Sequence, residues 1–343
     1  MNFAITQAWL EFLAVGTLIA VAGSFLARYG DIISEKTGMG GTWIGLILLA
    51  TVTSLPELIT GVSSVRIANV PDVAIGDALG SCVFNLFILV ILDFLYRHES
   101  LYLRASHGHI LSAGFGVILL GVVTIHMSLS TIGIVLSWGH VGLYVPVIIV
   151  FYAVAMRTVF RYEKRSLQAT VEDSELQYPH ISLSQALLRY LAAAAVVVAA
   201  GIWLPFSAEK LANVMGWEQS FVGTLFVAAA TSMPEAAVTL AAVRIGALDM
   251  AVSNLLGSNL FNVLIVALDD LLYSPGPILY STSPLHGVTA LSAIIMSGVA
   301  IVALLYRPAT RLFRTIGWAS MLLLSLYLLN LFFLYLYQNN NPH

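Results

Sequence analysis

Apolar residues run through this chain in long continuous blocks, without the period of two that marks a half-buried strand. A bilayer-spanning helix needs roughly 20 such residues. Ten blocks satisfy that length, at 8–28, 41–66, 72–96, 108–127, 132–156, 185–205, 218–244, 249–273, 285–306 and 312–337. One long polar connection, from Arg157 to Ser182, carries basic and acidic clusters ahead of Pro179 and divides the blocks five and five. The pattern predicts an all-α polytopic membrane protein with one five-helix unit over 1–156, a linker over 157–184 and a second unit over 185–343. No basic segment precedes the first block, so 8–28 reads as a span and not as a leader.

Two blocks break their own pattern in the same way. Thr53-Ser54-Leu55-Pro56-Glu57 and Thr231-Ser232-Met233-Pro234-Glu235 each put a proline, a carboxylate and two hydroxyls inside an apolar run. The surroundings repeat as well. Residues 45–66 align with 223–244, with 8 identities in 22, and 72–96 align with 249–273, with 11 in 25. Apolar identities are cheap, but the shared Thr, Ser, Pro, Glu, Gly, Asn, Asp and Arg occur in the same order, so the chain contains an internal duplication. Five spans per half is an odd number, which makes the second half enter the membrane in the opposite sense, an inverted-topology repeat. Of the 15 Lys and Arg residues, only Arg66 and Lys210 fall on one side of this topology. The positive-inside rule then places both termini outside and the linker in the cytoplasm.

Composition narrows the class further. Charged residues make up 10% and hydrophobic ones 59%, against about 25% charged in a soluble domain. A net charge of −3 is small and says nothing about nucleic acid, which is not among the expected partners; the single cysteine, Cys82, excludes an intrachain disulfide or a multi-cysteine metal site. The partners expected are the lipid bilayer and small cations, with no cofactor, and the chain is expected to function as a monomer.

The polar residues inside the blocks carry the chemistry. A carboxylate at mid-membrane costs at least a few kcal/mol, so Glu57 and Glu235 need a partner or a task. Thr53 lies one turn before Glu57 on the same face. Pro56 cannot donate to the preceding turn, which releases the Val52 carbonyl and loosens that of Ala50. Thr231, Ser232, Pro234 and the Ala228 carbonyl supply the mirror set. The next spans add Gly80-Ser81-Cys82-Val83-Phe84-Asn85 and Gly257-Ser258-Asn259-Leu260-Phe261-Asn262, in which Ser81 and Asn85, and Ser258 and Asn262, share a face. Carboxylates, hydroxyls and carbonyls are hard oxygen ligands that suit Ca²⁺ and Na⁺, and two glutamates balance the charge of one Ca²⁺. Taken singly, each hydroxyl bonds back to its own helix and each small residue serves packing; a Pro-Glu pair repeated in inverted halves goes beyond that bland account. Asn85 and Asn262 read either as ligands or as bridges between helices.

The two TS(L/M)PE segments, each followed by GS(C/N)(V/L)FN, resemble the α-repeats of the sodium/calcium exchanger family, the calcium:cation antiporters. The resemblance implies ten helices in inverted halves and alternating-access exchange of Ca²⁺ for Na⁺, with no enzymatic activity. It implies Glu57 and Glu235 as ligands shared by both ions, Thr53, Ser54, Thr231 and Ser232 lining the sites, backbone oxygen from Ala50 and Ala228, and Ser81, Asn85, Ser258 and Asn262 completing them. Spans 1 and 6 become the elements expected to slide. Three features depart from the pattern. Some relatives carry Asp where this chain has Asn262, which leaves Na⁺ number and H⁺ coupling open. Cys82 stands where the second repeat has Asn259, so the two helices are not expected to pack or hydrogen-bond identically. Asp77 stands where the second half has Asn254, either as an extra charge in the outer approach or as a carboxylate favoured by the helix dipole.

Other polar positions have simpler readings. Asp72 and Asp249 begin their spans as N-caps. Asp93, Asp269 and Asp270 lie near span ends, with Asp93 on the Asn85 face. Arg66 and Arg244 reach for headgroups. His98, His107, His109, His126 and His140 lack ligand spacing. An H⁺-coupled antiporter is the close alternative. An intramembrane enzyme is disfavoured, because general acid and base roles need unequal environments.

Overall fold

The computed structural model describes residues 3–96, 100–169, 177–216, 229–308, 311–312 and 316–340. Ala228 and the rest of 218–228, along with Arg97, His98 and Arg314, lie outside the described residues. The helices are α1 (Phe3–Thr37), α2 (Gly41–Ala68), α3 (Pro71–Leu95), α4 (Gly108–Thr131), α5 (Tyr144–Ala169), α6 (Leu183–Val214), α7 (Met233–Arg244), α8 (Leu248–Leu272), α9 (Leu285–Tyr306) and α10 (Trp318–Asn340). Among the described residues nine of these, all except α7, are long and apolar enough to cross a membrane. The chain is a multi-pass membrane protein of two inverted repeats.

Two helices start later than expected, each behind a short strand pair. Residues 132–143 do not continue a helix. Gly133 and Gly139 adopt positive φ, and β1 (Ser137–Trp138) pairs antiparallel with β2 (Val141–Gly142) ahead of α5. In the second half β3 (Arg311–Leu312) pairs with β4 (Ile316–Gly317) ahead of α10. An apolar stretch with glycines at turn positions reads as a span by hydropathy alone, although it folds as a hairpin. At the other end, α5 runs on to Ala169, so Arg157–Ala169 are helical, while 177–182, the described remainder of the connection, are not.

The core lies mainly around α3 and α8, and α8 is the more buried of the two. Gly45 and Gly257 let α8 close onto α2: a Cβ on Gly257 would stand 2.7 Å from the Leu46 carbonyl oxygen. Outside this core α1 and α6 pack against each other. In α6, a Cβ on Gly201 would meet Pro56 at 2.6 Å and Pro234 at 3.1 Å. One glycine thus seats α6 across the prolines of both repeats.

Four carboxylates tie the halves together in mirror pairs. Asp249 accepts from the Ser106 N–H at 2.7 Å and lies 2.9 Å from His109 Nε2, while Asp72 accepts from the Ser283 N–H at 2.7 Å and lies 3.0 Å from His286 Nε2. These two aspartates are therefore cross-half clasps and not N-caps; neither α3 nor α8 shows a side-chain cap. Asp93 accepts from the N–H groups of Leu101 and Gly317 and from the Ser320 hydroxyl. Asp270 accepts from the N–H groups of Ile278 and Gly142 and from the Tyr144 hydroxyl. Each of this second pair anchors the hairpin before the fifth helix of the opposite half. Asp93 accordingly belongs to a structural clasp.

Candidate cation site

Both motifs interrupt their helices at the serine. Ser54 has φ −92°, ψ 7° and Ser232 has φ −90°, ψ 10°, and helix resumes at Leu55 and at Met233. Pro56 and Pro234 fall in the first turn of the new helices, where a missing N–H costs nothing. Each proline therefore starts a helix as much as it ends one, and each glutamate sits in a first turn, where the helix dipole favours negative charge. The Ala50 carbonyl is not released as the sequence suggested. It accepts from the Ser54 N–H at 3.0 Å and from the Thr53 hydroxyl at 3.4 Å.

The polar side chains of the four segments meet across the halves. Ser54 Oγ donates to Glu235 Oε1 at 3.0 Å. Thr53 Oγ1 lies 3.4 Å from Ser258 Oγ and donates to Asn254 Oδ1 at 3.5 Å. Ser81 Oγ lies 3.1 Å from Ser232 Oγ, and the Thr231 hydroxyl bonds Asp77. Each of these contacts joins one half to the other, so neither half holds the arrangement alone.

Glu57, Glu235, Thr53, Ser54, Ser232, Ser258, Asn85 and Asn262 are all buried. Both carboxylate oxygens of Glu57, Oε2 of Glu235, Oδ1 of Asn85 and both amide atoms of Asn262 are buried without a hydrogen-bond partner among the described residues. Glu57 also feels the negative charge of Glu235 and Asp77. Buried carboxylates that feel one another's charge and have so few donors are costly to maintain. A hard cation removes that cost, and the free groups are nearly all oxygens, the ligand class that Ca²⁺ and Na⁺ take.

Two further residues shape this ligand set. Asn259 accepts from Asn85 Nδ2 at 3.1 Å, while its own Nδ2 donates to the Cys82 carbonyl at 3.1 Å. Asn85 is thereby oriented with its oxygen uncommitted, which makes it both a bridge and an available acceptor. Asn254 was compared with Asp77 in sequence but not expected to touch Thr53. The clasp histidines His109 and His286 were also missed. The repeat offset of 177 that relates Asp77 to Asn254 also relates Ser106 to Ser283, His109 to His286 and Asp93 to Asp270. Extending the repeat comparison past residue 96 would have found them.

Comparison with known proteins gives the family and the fold. Residues 7–153 and 185–336 match the sodium/calcium exchanger protein family. The chain belongs to that family, and with it to the membrane transporters that exchange cations. It is 26% identical over 307 residues to the inner membrane protein YrbG of Escherichia coli K12, covering 89% of this chain and 91% of that protein. Over a shorter stretch of 84 residues, 24% of each chain, it is 38% identical to the sodium/calcium exchanger MaX1 of Methanosarcina acetivorans. Its fold superposes on the sodium-calcium exchanger NCX_Mj with a TM-score of 0.72 at 20% identity, covering 95% of this chain and 98% of that one.

Proposed function

We propose that the protein exchanges cytoplasmic Ca²⁺ for external Na⁺ by alternating access, the two ions competing for Glu57 and Glu235. The observation that carries this reading is the pair of buried glutamates from mirror-related helix breaks, of whose four carboxylate oxygens only Glu235 Oε1 has a hydrogen-bond donor among the described residues. Two negative charges in a low-dielectric centre match one Ca²⁺, or Na⁺ ions distributed over the same oxygens. Thr53, Ser54, Thr231, Ser232, Ser81, Asn85, Ser258 and Asn262 supply the neutral ligands, with backbone oxygen from Ala228. A site stripped of cations keeps uncompensated buried charge and resists crossing; a loaded site is neutral and crosses. That difference enforces exchange over leak.

In this reading α1 and α6 are the sliding elements. The seat of Gly201 on Pro56 and Pro234 supports it, because movement of α6 there would bear directly on both helix breaks. The bias of Lys and Arg toward one side sets both termini outside and the linker in the cytoplasm.

Flux in inside-out vesicles tests the coupling. Na⁺-loaded vesicles are expected to accumulate Ca²⁺ on dilution into Na⁺-free medium, and Glu57→Gln to abolish that uptake. Uptake driven by a pH gradient with Na⁺ absent would assign the exchange to H⁺ instead.

A further inference from the structure

The duplication allows the halves to be compared position by position, and one place is out of line. Thr239 is the mirror of Gly61, and its Oγ1 accepts a 2.9 Å hydrogen bond from Asn254 Nδ2. Asn254 is the mirror of Asp77. On the Asp77 side Gly61 offers no side chain, and the space its Cβ would take is filled by the carboxylate of Asp269. The mirror of Asp269 is Leu92, fully buried. The fold therefore fills this place with hydrocarbon in one half and with a carboxylate in the other, so packing alone does not demand an acid.

Asp269 is itself fully buried. Both of its oxygens and Oδ2 of Asp77 lack a hydrogen-bond partner among the described residues, and Asp269 feels the negative charge of Asp77. Arg66, the nearby cation, donates to the Leu272 carbonyl at 3.4 Å. A buried carboxylate without donors costs several kcal/mol, and a second one beside it raises that cost. Gly61 lies one helical turn beyond Glu57 on the same face of α2. The acidic pair thus sits between the central glutamates and the membrane face where α2 and α8 end.

We infer that Asp77 and Asp269 form a second station for a hard divalent cation, occupied between that membrane face and the Glu57–Glu235 site. Two carboxylates match the charge of Ca²⁺, and the Thr231 hydroxyl bonded to Asp77 connects the station to the central site. The neutral Thr239–Asn254 pair occupies the mirror position, so the station is one-sided. The direction of ion travel rests on the exchanger reading; the binding does not.

Equilibrium binding of radiolabelled Ca²⁺ to the purified full-length protein in detergent, without Na⁺, tests it. The isotherm is expected to show a tight phase and a second phase at least about tenfold weaker, a difference of about 1.4 kcal/mol. Asp269→Asn, nearly isosteric, is expected to remove the weaker phase alone, and Glu57→Gln the tighter phase alone. Asp269→Leu, which copies the mirror residue, is expected to reproduce the loss with an undiminished thermal midpoint. A single-phase isotherm, or a weaker phase that survives Asp269→Asn, overturns the station and leaves the pair sharing a proton. A tight phase that survives Glu57→Gln overturns the central-site reading, separately from the station.

Discussion

The two arms that run outward from the central glutamates began as copies and now differ in charge. One arm is Thr239 bonded to Asn254, with Leu92 at the mirror of the third position; every polar group named there has a partner. The other is Gly61, Asp77 and Asp269, where three carboxylate oxygens have none among the described residues. The glutamates themselves follow the same division, since Glu235 receives Ser54 while neither oxygen of Glu57 has a partner among the described residues. Duplication explains the shared backbone. Packing alone does not require the charge difference, and in the station proposed above it serves ion binding.

Substitutions that exchange or erase the difference should separate these explanations. The largest effect is expected at the centre: Glu57→Gln keeps shape but removes one of the two charges, and should weaken Ca²⁺ binding on the order of 100-fold, about 2.7 kcal/mol. Glu235→Gln should cost as much or more, since it also degrades the bond from Ser54; a near-neutral result at either residue would break the two-glutamate account. Next comes Gly61→Thr, which places a side chain where Asp269 already stands. It should lower stability by about 1–3 kcal/mol through overpacking, read as a fall in the detergent thermal midpoint, and Asp269→Ala in the same chain should restore it. Without that rescue, the contact between the two residues is not what sets the cost. Asp77→Asn, which copies the other arm, should change Ca²⁺ affinity about tenfold, near 1.4 kcal/mol, measured in the same binding experiment. Smallest is Thr239→Val, which strands the Asn254 amide for about 1 kcal/mol and should leave Ca²⁺ affinity unchanged; a binding defect there would mean that the neutral arm also handles ions.

Much of the site was legible early because its residues break strong rules. A proline and a carboxylate inside an apolar run are conspicuous, and their repetition 178 residues later, at Pro234 and Glu235, made the pairing plain. The clasps were not legible in the same way. Asp72 and Asp249 at helix starts have a satisfying local explanation as caps, and nothing local indicates that their acceptors are used by Ser283 and His286, or by Ser106 and His109, from the opposite half. The hairpin at 132–143 failed for a related reason: its residues are apolar enough for a span, and the glycine turn outweighs hydropathy only once β1 has β2 to pair with.

Sequence alone determined that the protein spans a membrane in two inverted halves, and which polar residues break the helices, because both conclusions follow from periodicity and from the cost of charge in hydrocarbon. It also named Thr53-Ser54-Leu55-Pro56-Glu57 and its mirror as the place to look. Tertiary structure decided which groups in that place are already satisfied. Ser54 donates to Glu235, Asn259 takes the amide of Asn85, and Ala50 keeps its helical bond, while the side chains of Glu57, Asn262 and Asp269 have no hydrogen-bond partner among the described residues. A hydrogen bond between residues 174 or 181 positions apart depends on how helices cross. No local pattern encodes that crossing, and it decides which oxygens remain open to a cation.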